Sequence, residues 1–85
     1  MRLWIANIEP GTDDATLVEF VTRYAKGITV AKVQRVDGDG SRPAALLSFD
    51  GDTFESVPAL AQRLDGMYWQ GRKLSCSAER GPRAQ

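Results

Sequence analysis

The chain has no histidine and a single cysteine, Cys76. Without histidine there is no imidazole base poised near neutral pH and no histidine metal ligand. One thiol makes neither an internal disulfide nor a thiolate zinc site, and it fits a reducing compartment. Net charge is also absent: eleven Lys and Arg offset eleven Asp and Glu. That excludes a protein held to polyanions by overall charge alone. No apolar run approaches the ~20 residues of a membrane-spanning helix. The start lacks the basic-then-apolar pattern of a secretory leader, so the expected location is the cytoplasm. There is no glycine-rich phosphate loop. Asp37-Gly38-Asp39-Gly40 opens like a calcium loop, but Ser48 stands where the closing glutamate belongs, so it reads as a hairpin turn. No catalytic residue, metal or cofactor is expected, and the chain is not read as an enzyme.

What is present is a set of short apolar segments separated by turns. Eighty-five residues, of which 42% are hydrophobic, suit one globular domain. It is expected over residues 1–80, with 81–85 a frayed tail. Leu3-Trp4-Ile5-Ala6-Asn7-Ile8 is the length of a buried strand and too short for a stable helix. Alternation sends Leu3 and Ile5 to one face, and Arg2, Trp4 and Ala6 to the other. Thr12 can cap a helix over about residues 13–25, with Asp13 and Asp14 at its positive end. Leu17, Phe20, Val21 and Tyr24 recur on one side of that helix. Residues 28–36 are β-branched and partly alternating, hence a second strand. Asp37 to Ser41 is a turn, and residues 44–49 form a third strand antiparallel to the second. Val57, Leu60, Ala61 and Leu64 predict a second helix at about 56–65, capped by Ser56 with Pro58 in its first turn. Met67 to Gly71 is a short extended piece and turn, and residues 73–77 form the last strand.

The order strand, helix, strand, strand, helix, strand predicts an α+β, ferredoxin-like βαββαβ sandwich. Its four-stranded antiparallel sheet carries two helices on one face. The expected core is Leu3, Ile5, Leu17, Phe20, Val21, Tyr24, Ala31, Val33, Ala45, Leu47, Phe49, Leu60, Leu64, Leu74 and Cys76. The opposite face should be open. On it alternation places Arg2, Trp4 and Ala6, then Lys32 and Gln34, then Arg42, Ala44, Leu46 and Ser48, and finally Lys73, Ser75 and Ser77. That set holds cations and no acid. Tyr68 and Trp69 should shield one end of the core.

Over about residues 2–78 the sequence resembles the RNA-recognition motif family. Leu3-Trp4-Ile5-Ala6-Asn7-Ile8 is similar to that family's six-residue motif, an aliphatic-aromatic-aliphatic-x-Asn-aliphatic run. Leu64-Asp65-Gly66 followed by Gly71-Arg72-Lys73-Leu74 resembles its closing segment. The eight-residue motif of the third strand is kept only in part. Arg42, Ala45, Leu47 and Phe49 match its basic, small, aliphatic and aromatic positions. Pro43 replaces a glycine, and Ala44 and Leu46 stand where two stacking rings belong, which leaves Trp4 as the surviving ring. The resemblance implies binding of single-stranded RNA, and by the same chemistry single-stranded DNA. A base would stack on Trp4, and Arg2, Lys32, Gln34, Arg42, Ala44, Leu46, Lys73 and Ser75 would complete the surface, with modest affinity. The alternative is a protein-interaction module of the same fold that uses Trp4 and Leu46 as an apolar patch. A monomer is expected rather than a homodimer that hides its sheet.

Overall fold

The computed structural model describes residues 1–36, 43–51 and 53–79. The expected turn at 37–41, Arg42 and the expected tail at 81–85 lie outside the described residues. The first strand, β1, runs from Arg2 to Ala6. Leu3 and Ile5 are completely buried, whereas Arg2, Trp4 and Ala6 are half-buried on the other side. Helix α1 spans Asp14–Tyr24. Its cap is Asp13 rather than Thr12: the Asp13 carboxylate accepts the Thr16 N–H at 2.8 Å, and this bond holds the carboxyl below its ordinary range. Thr12 is buried instead, and its hydroxyl donates to Gln70 Oε1 at 3.2 Å.

Strand β2 covers Ile28–Val36 and β3 covers Ala44–Gly51. Their antiparallel ladder carries a bulge between Val30 and Lys32. The bulge corrects one expected core position. Ala31 is the extra, exposed residue, and Val30 packs toward the core in its place together with Val33. At the end of β3, Gly51 has φ +111°, and a Cβ there would lie 2.5 Å from the Gly27 carbonyl oxygen, so only glycine fits.

Helix α2 runs over Thr53–Leu64 and begins before the expected Ser56. Phe54 in its first turn is 68% exposed, so the apolar spacing that signals the helix starts only at Val57. Pro58 consequently lies inside the helix, where it has no N–H to donate. The N-terminal ammonium of Met1 donates to Thr53 Oγ1 at 3.2 Å, across the start of this helix. A two-stranded hairpin follows, β4 at Tyr68–Trp69 and β5 at Arg72–Lys73. Its two-residue turn, Gln70-Gly71, has φ +53° and +78°. Positive φ at both central positions is the type I′ geometry, whose twist suits a tight hairpin. The last strand, β6, is Ser75–Glu79.

The sheet order is β2-β3-β1-β6, with every neighbouring pair antiparallel. Both helices pack on one face of this four-stranded sheet, which is the ferredoxin-like arrangement. The core adds Ile8, Ile28, Val57 and Ala61 to the expected set, and Tyr24 is half-buried at its margin. Trp69 closes one end by stacking on Phe20, with ring centroids 4.2 Å apart and planes 14° from parallel. Among the described residues no helix is long and apolar enough to cross a membrane.

Cys76 sits in this core, and burial, reinforced by the nearby Asp65 carboxylate, pushes its thiol up to about 12 from an ordinary value of 9.0. Below pH 9 the thiol is neutral whether folded or unfolded. Above it only the unfolded chain loses the proton, so stability is expected to fall as the pH rises toward 12. Urea unfolding of wild type and Cys76→Ala at pH 7.5 and 10.5 checks this. The wild type should lose about 2 kcal/mol more than the variant. Equal losses would remove Cys76 as the cause.

Candidate nucleic-acid interface

The register of the ladders sets the composition of the uncovered face. β1 lies between β3 and β6, so each of its outward residues is flanked on both sides. Arg2 pairs with Ser48 and Glu79, Trp4 with Leu46 and Ser77, and Ala6 with Ala44 and Ser75. β2 extends the rows at the far edge: Lys32 opposite Ser48, Gln34 opposite Leu46, and Val36 opposite Ala44. Directly paired residues point the same way. Three rows therefore cross the sheet. One is Lys32, Ser48, Arg2, Glu79. The middle one is Gln34, Leu46, Trp4, Ser77. The third is Val36, Ala44, Ala6, Ser75.

Trp4 stands near the middle of this surface. Among the described residues the aromatic pairs, Phe20 with Tyr24 and Phe20 with Trp69, lie on the helix side, and Trp4 joins neither. Its ring borders a concavity of about 330 Å³ lined by Arg2, Leu46, Ser77 and Glu79 as well. A half-buried indole beside an aliphatic side chain, a hydroxyl and two opposite charges offers a flat apolar floor with polar groups around it. A planar, polar-edged ring is the shape that complements it. A smaller hollow of about 150 Å³ lies on the helix side, between Tyr24, Lys26, Ser56, Leu60 and Arg63.

Of the residues expected on the surface, Arg2, Trp4, Lys32, Gln34, Leu46 and Ser75 share the uncovered face. Lys32, Gln34 and Ser75 are exposed. Ala44 also lies on it but is only 4% exposed, because its methyl group is short and Val36 and Ala6 flank it. It offers little area of its own. Lys73 is a correction. It belongs to the β4–β5 hairpin rather than the four-stranded sheet, and its Cε approaches Gly66 at the end of α2. Arg42 lies outside the described residues. The expectation of a face without acids is likewise corrected by Glu79, half-buried in the same row as Arg2. Following the alternation of Ser75 and Ser77 two residues further would have found it.

The motif residues that carried the family resemblance turn out to support this face. Asn7 ends β1 with φ +65°, a backbone state that asparagine tolerates better than most residues. Its Nδ2 donates to the Lys73 carbonyl at 3.0 Å, and its Oδ1 accepts Arg72 Nη1 at 3.1 Å. The end of the central strand is thereby tied to the hairpin. The Asp65 carboxylate accepts the Cys76 N–H at 2.9 Å, which joins the end of α2 to β6. Gly66 supplies the φ of +82° that the chain needs as it leaves the helix.

No family profile matches the chain, and no curated protein sequence does. Among solved structures, "Pes4 RRM3 Structure" superposes on it with a TM-score of 0.77, covering 99% of this chain and 96% of that one at 12% sequence identity. The chain has the fold of an RNA-recognition motif. At that identity the likeness concerns the fold and not the residues on the face.

Replacing Asn7 tests the support. Asn7→Ala should destabilise the domain by about 2–3 kcal/mol, from two lost hydrogen bonds and the strained φ. Asn7→Gly should recover about 1 kcal/mol of that by relieving the backbone. Denaturant unfolding of both variants measures the difference. Equal destabilisation by alanine and glycine would contradict the role given to the left-handed backbone.

Proposed function

We propose that this domain binds single-stranded RNA across its uncovered sheet face. The observation that carries the reading is the Trp4 ring, set in a concavity with Arg2 and Ser77 at the middle of a sheet that no element of the described chain covers. A base stacks on the indole, Lys32 takes a phosphate, and Arg2, Gln34, Ser48, Ser75 and Ser77 supply hydrogen bonds to base edges and sugar hydroxyls. Lys73 contributes from the hairpin at the margin, and Arg42, two residues before β3 in the sequence, adds a further cation. Residues 1–80 act as one binding unit, as a monomer and without a cofactor or a catalytic step. With Ala44 and Leu46 in place of two rings, affinity is modest, and single-stranded DNA binds by the same stacking.

A second reading has its own observation in favour. Leu46 flanks Trp4, and Val36 on the same face is 38% exposed, so an apolar strip crosses β2, β3 and β1. A protein partner could dock there. The two readings differ in salt dependence, because phosphate contacts release counterions and apolar contacts do not.

Three substitutions on the face separate them. Trp4→Ala should weaken binding of short single-stranded RNA by about 1–3 kcal/mol while the domain stays folded by NMR. Lys32→Gln should lower the slope of log affinity against log salt by about 0.7. Leu46→Phe places a second ring directly opposite Trp4 and should tighten binding, by about 1 kcal/mol. Unchanged affinity in Trp4→Ala, or a salt-independent interaction, would move the function to the protein-partner reading.

A further inference from the structure

We infer that the Trp4 concavity selects guanine, with Glu79 as the residue that reads the base. The inference rests on the single-strand reading given above and adds a specificity to it. A carboxylate on a surface meant for phosphates opposes general binding, so its presence there asks for a reason. Glu79 stands in direct register with Arg2 across β1 and β6, one pair beyond Trp4 and Ser77 on the same face. Two residues along a strand span about 6.7 Å. A base stacked on the Trp4 indole therefore extends its edge over the Arg2–Glu79 pair. All four side chains line the same concavity.

The two charges at that edge describe one base better than the others. A carboxylate is acceptor-only, with two oxygens that can receive a pair of parallel N–H groups. Guanine presents such a pair, N1–H beside the N2 amino group, and carries O6 and N7 acceptors toward which a guanidinium can donate. Adenine and cytosine each present one amino group next to an acceptor, and that acceptor would face the carboxylate unfavourably. Uracil presents one N–H between two carbonyl oxygens. The Ser77 hydroxyl, in the same row as Trp4, donates to Glu79 Oε2 at 3.5 Å. Discrimination of this kind combines an attraction to one base with a repulsion of the rest and of the backbone.

The test uses RNA pentamers of uridine whose central base is guanine, hypoxanthine (inosine), adenine, cytosine or uracil, titrated into the protein by calorimetry at low salt. The guanine pentamer should bind tightest, by on the order of ten-fold or more over the adenine, cytosine and uracil versions. Inosine, which lacks the N2 amino group, should fall between. In Glu79→Gln the guanine preference should shrink to about three-fold or less, with binding of the all-uridine pentamer equal to or tighter than in wild type. Equal binding of all five pentamers by the wild type would overturn the specificity and leave the RNA reading standing. A guanine preference that survives Glu79→Gln would overturn the role of Glu79. Failure of every pentamer to bind would end the RNA reading itself, and this inference with it. The inosine comparison uses unmutated protein, so it stands even if the substitution perturbs folding.

Discussion

The register of β1 is the constraint on which the rest of the structure depends. This strand is paired on both sides, and Leu3 and Ile5 are fully buried on its helix-facing side. Burying two such side chains is worth about 3–6 kcal/mol together, a large part of what holds a domain of this size. A slip of one residue would turn both into water and drive Trp4 and Arg2 into the core. The outward position of Trp4 therefore follows from the inward positions of its neighbours. Leu46, Ser77 and Glu79 are then placed by the same ladders, because paired residues share a face.

The uncovered face and the scaffold are built from different residues of the same short segments. Asn7 and Asp65, which belong to the recognisable motifs, spend their side chains on internal hydrogen bonds to the hairpin and to β6. Arg35, on the helix-facing side of β2, donates to the Thr12 carbonyl and pairs with Asp14 at 3.0 Å, bracing the start of α1. That ion pair is mostly a positioning contact, since Asp14 is well exposed. Ala44 and Leu46 occupy two positions on the outward side that could carry rings, and an acid, Glu79, shares the row of Arg2. The likeness to a solved structure at 12% identity and a TM-score of 0.77 is accordingly one of fold.

Surface charge here is a matter of position rather than sum. The chain is neutral overall, yet Arg2 and Lys32 share a row at one side of Trp4, while Asp13, Asp14 and Glu19 lie at the cap and in the body of α1. One cation expected beside them, Lys73, is drawn into the hairpin because the chain turns at Gln70-Gly71 and pairs Lys73 with Tyr68. Charge beside Trp4 is therefore mixed, Arg2 against Glu79, which under the proposed function suits selective contact with a base edge better than general attraction to a polyanion.

The identity and order of the two helices and the four strands of the main sheet, and the inward set on β1 and α1, were determined by the sequence alone, because they follow from local spacing: period two in strands, three to four in helices. The fold class came with that order. Tertiary structure decided what local spacing cannot express. The bulge that ejects Ala31 depends on the pairing of β2 with β3, although Ile28, Val30 and Val33 carry its shift in alternation. The early start of α2 was hidden because an exposed Phe54 gives no amphipathic signal. Removal of Lys73 from the sheet and arrival of Glu79 beside Arg2 depend on where β6 begins and ends. Those limits are set by the hairpin and by the Asp65 bond to the Cys76 backbone, contacts between residues far apart in the chain. Which groups stand around Trp4 is a property of strand register, and register exists only once the strands have met.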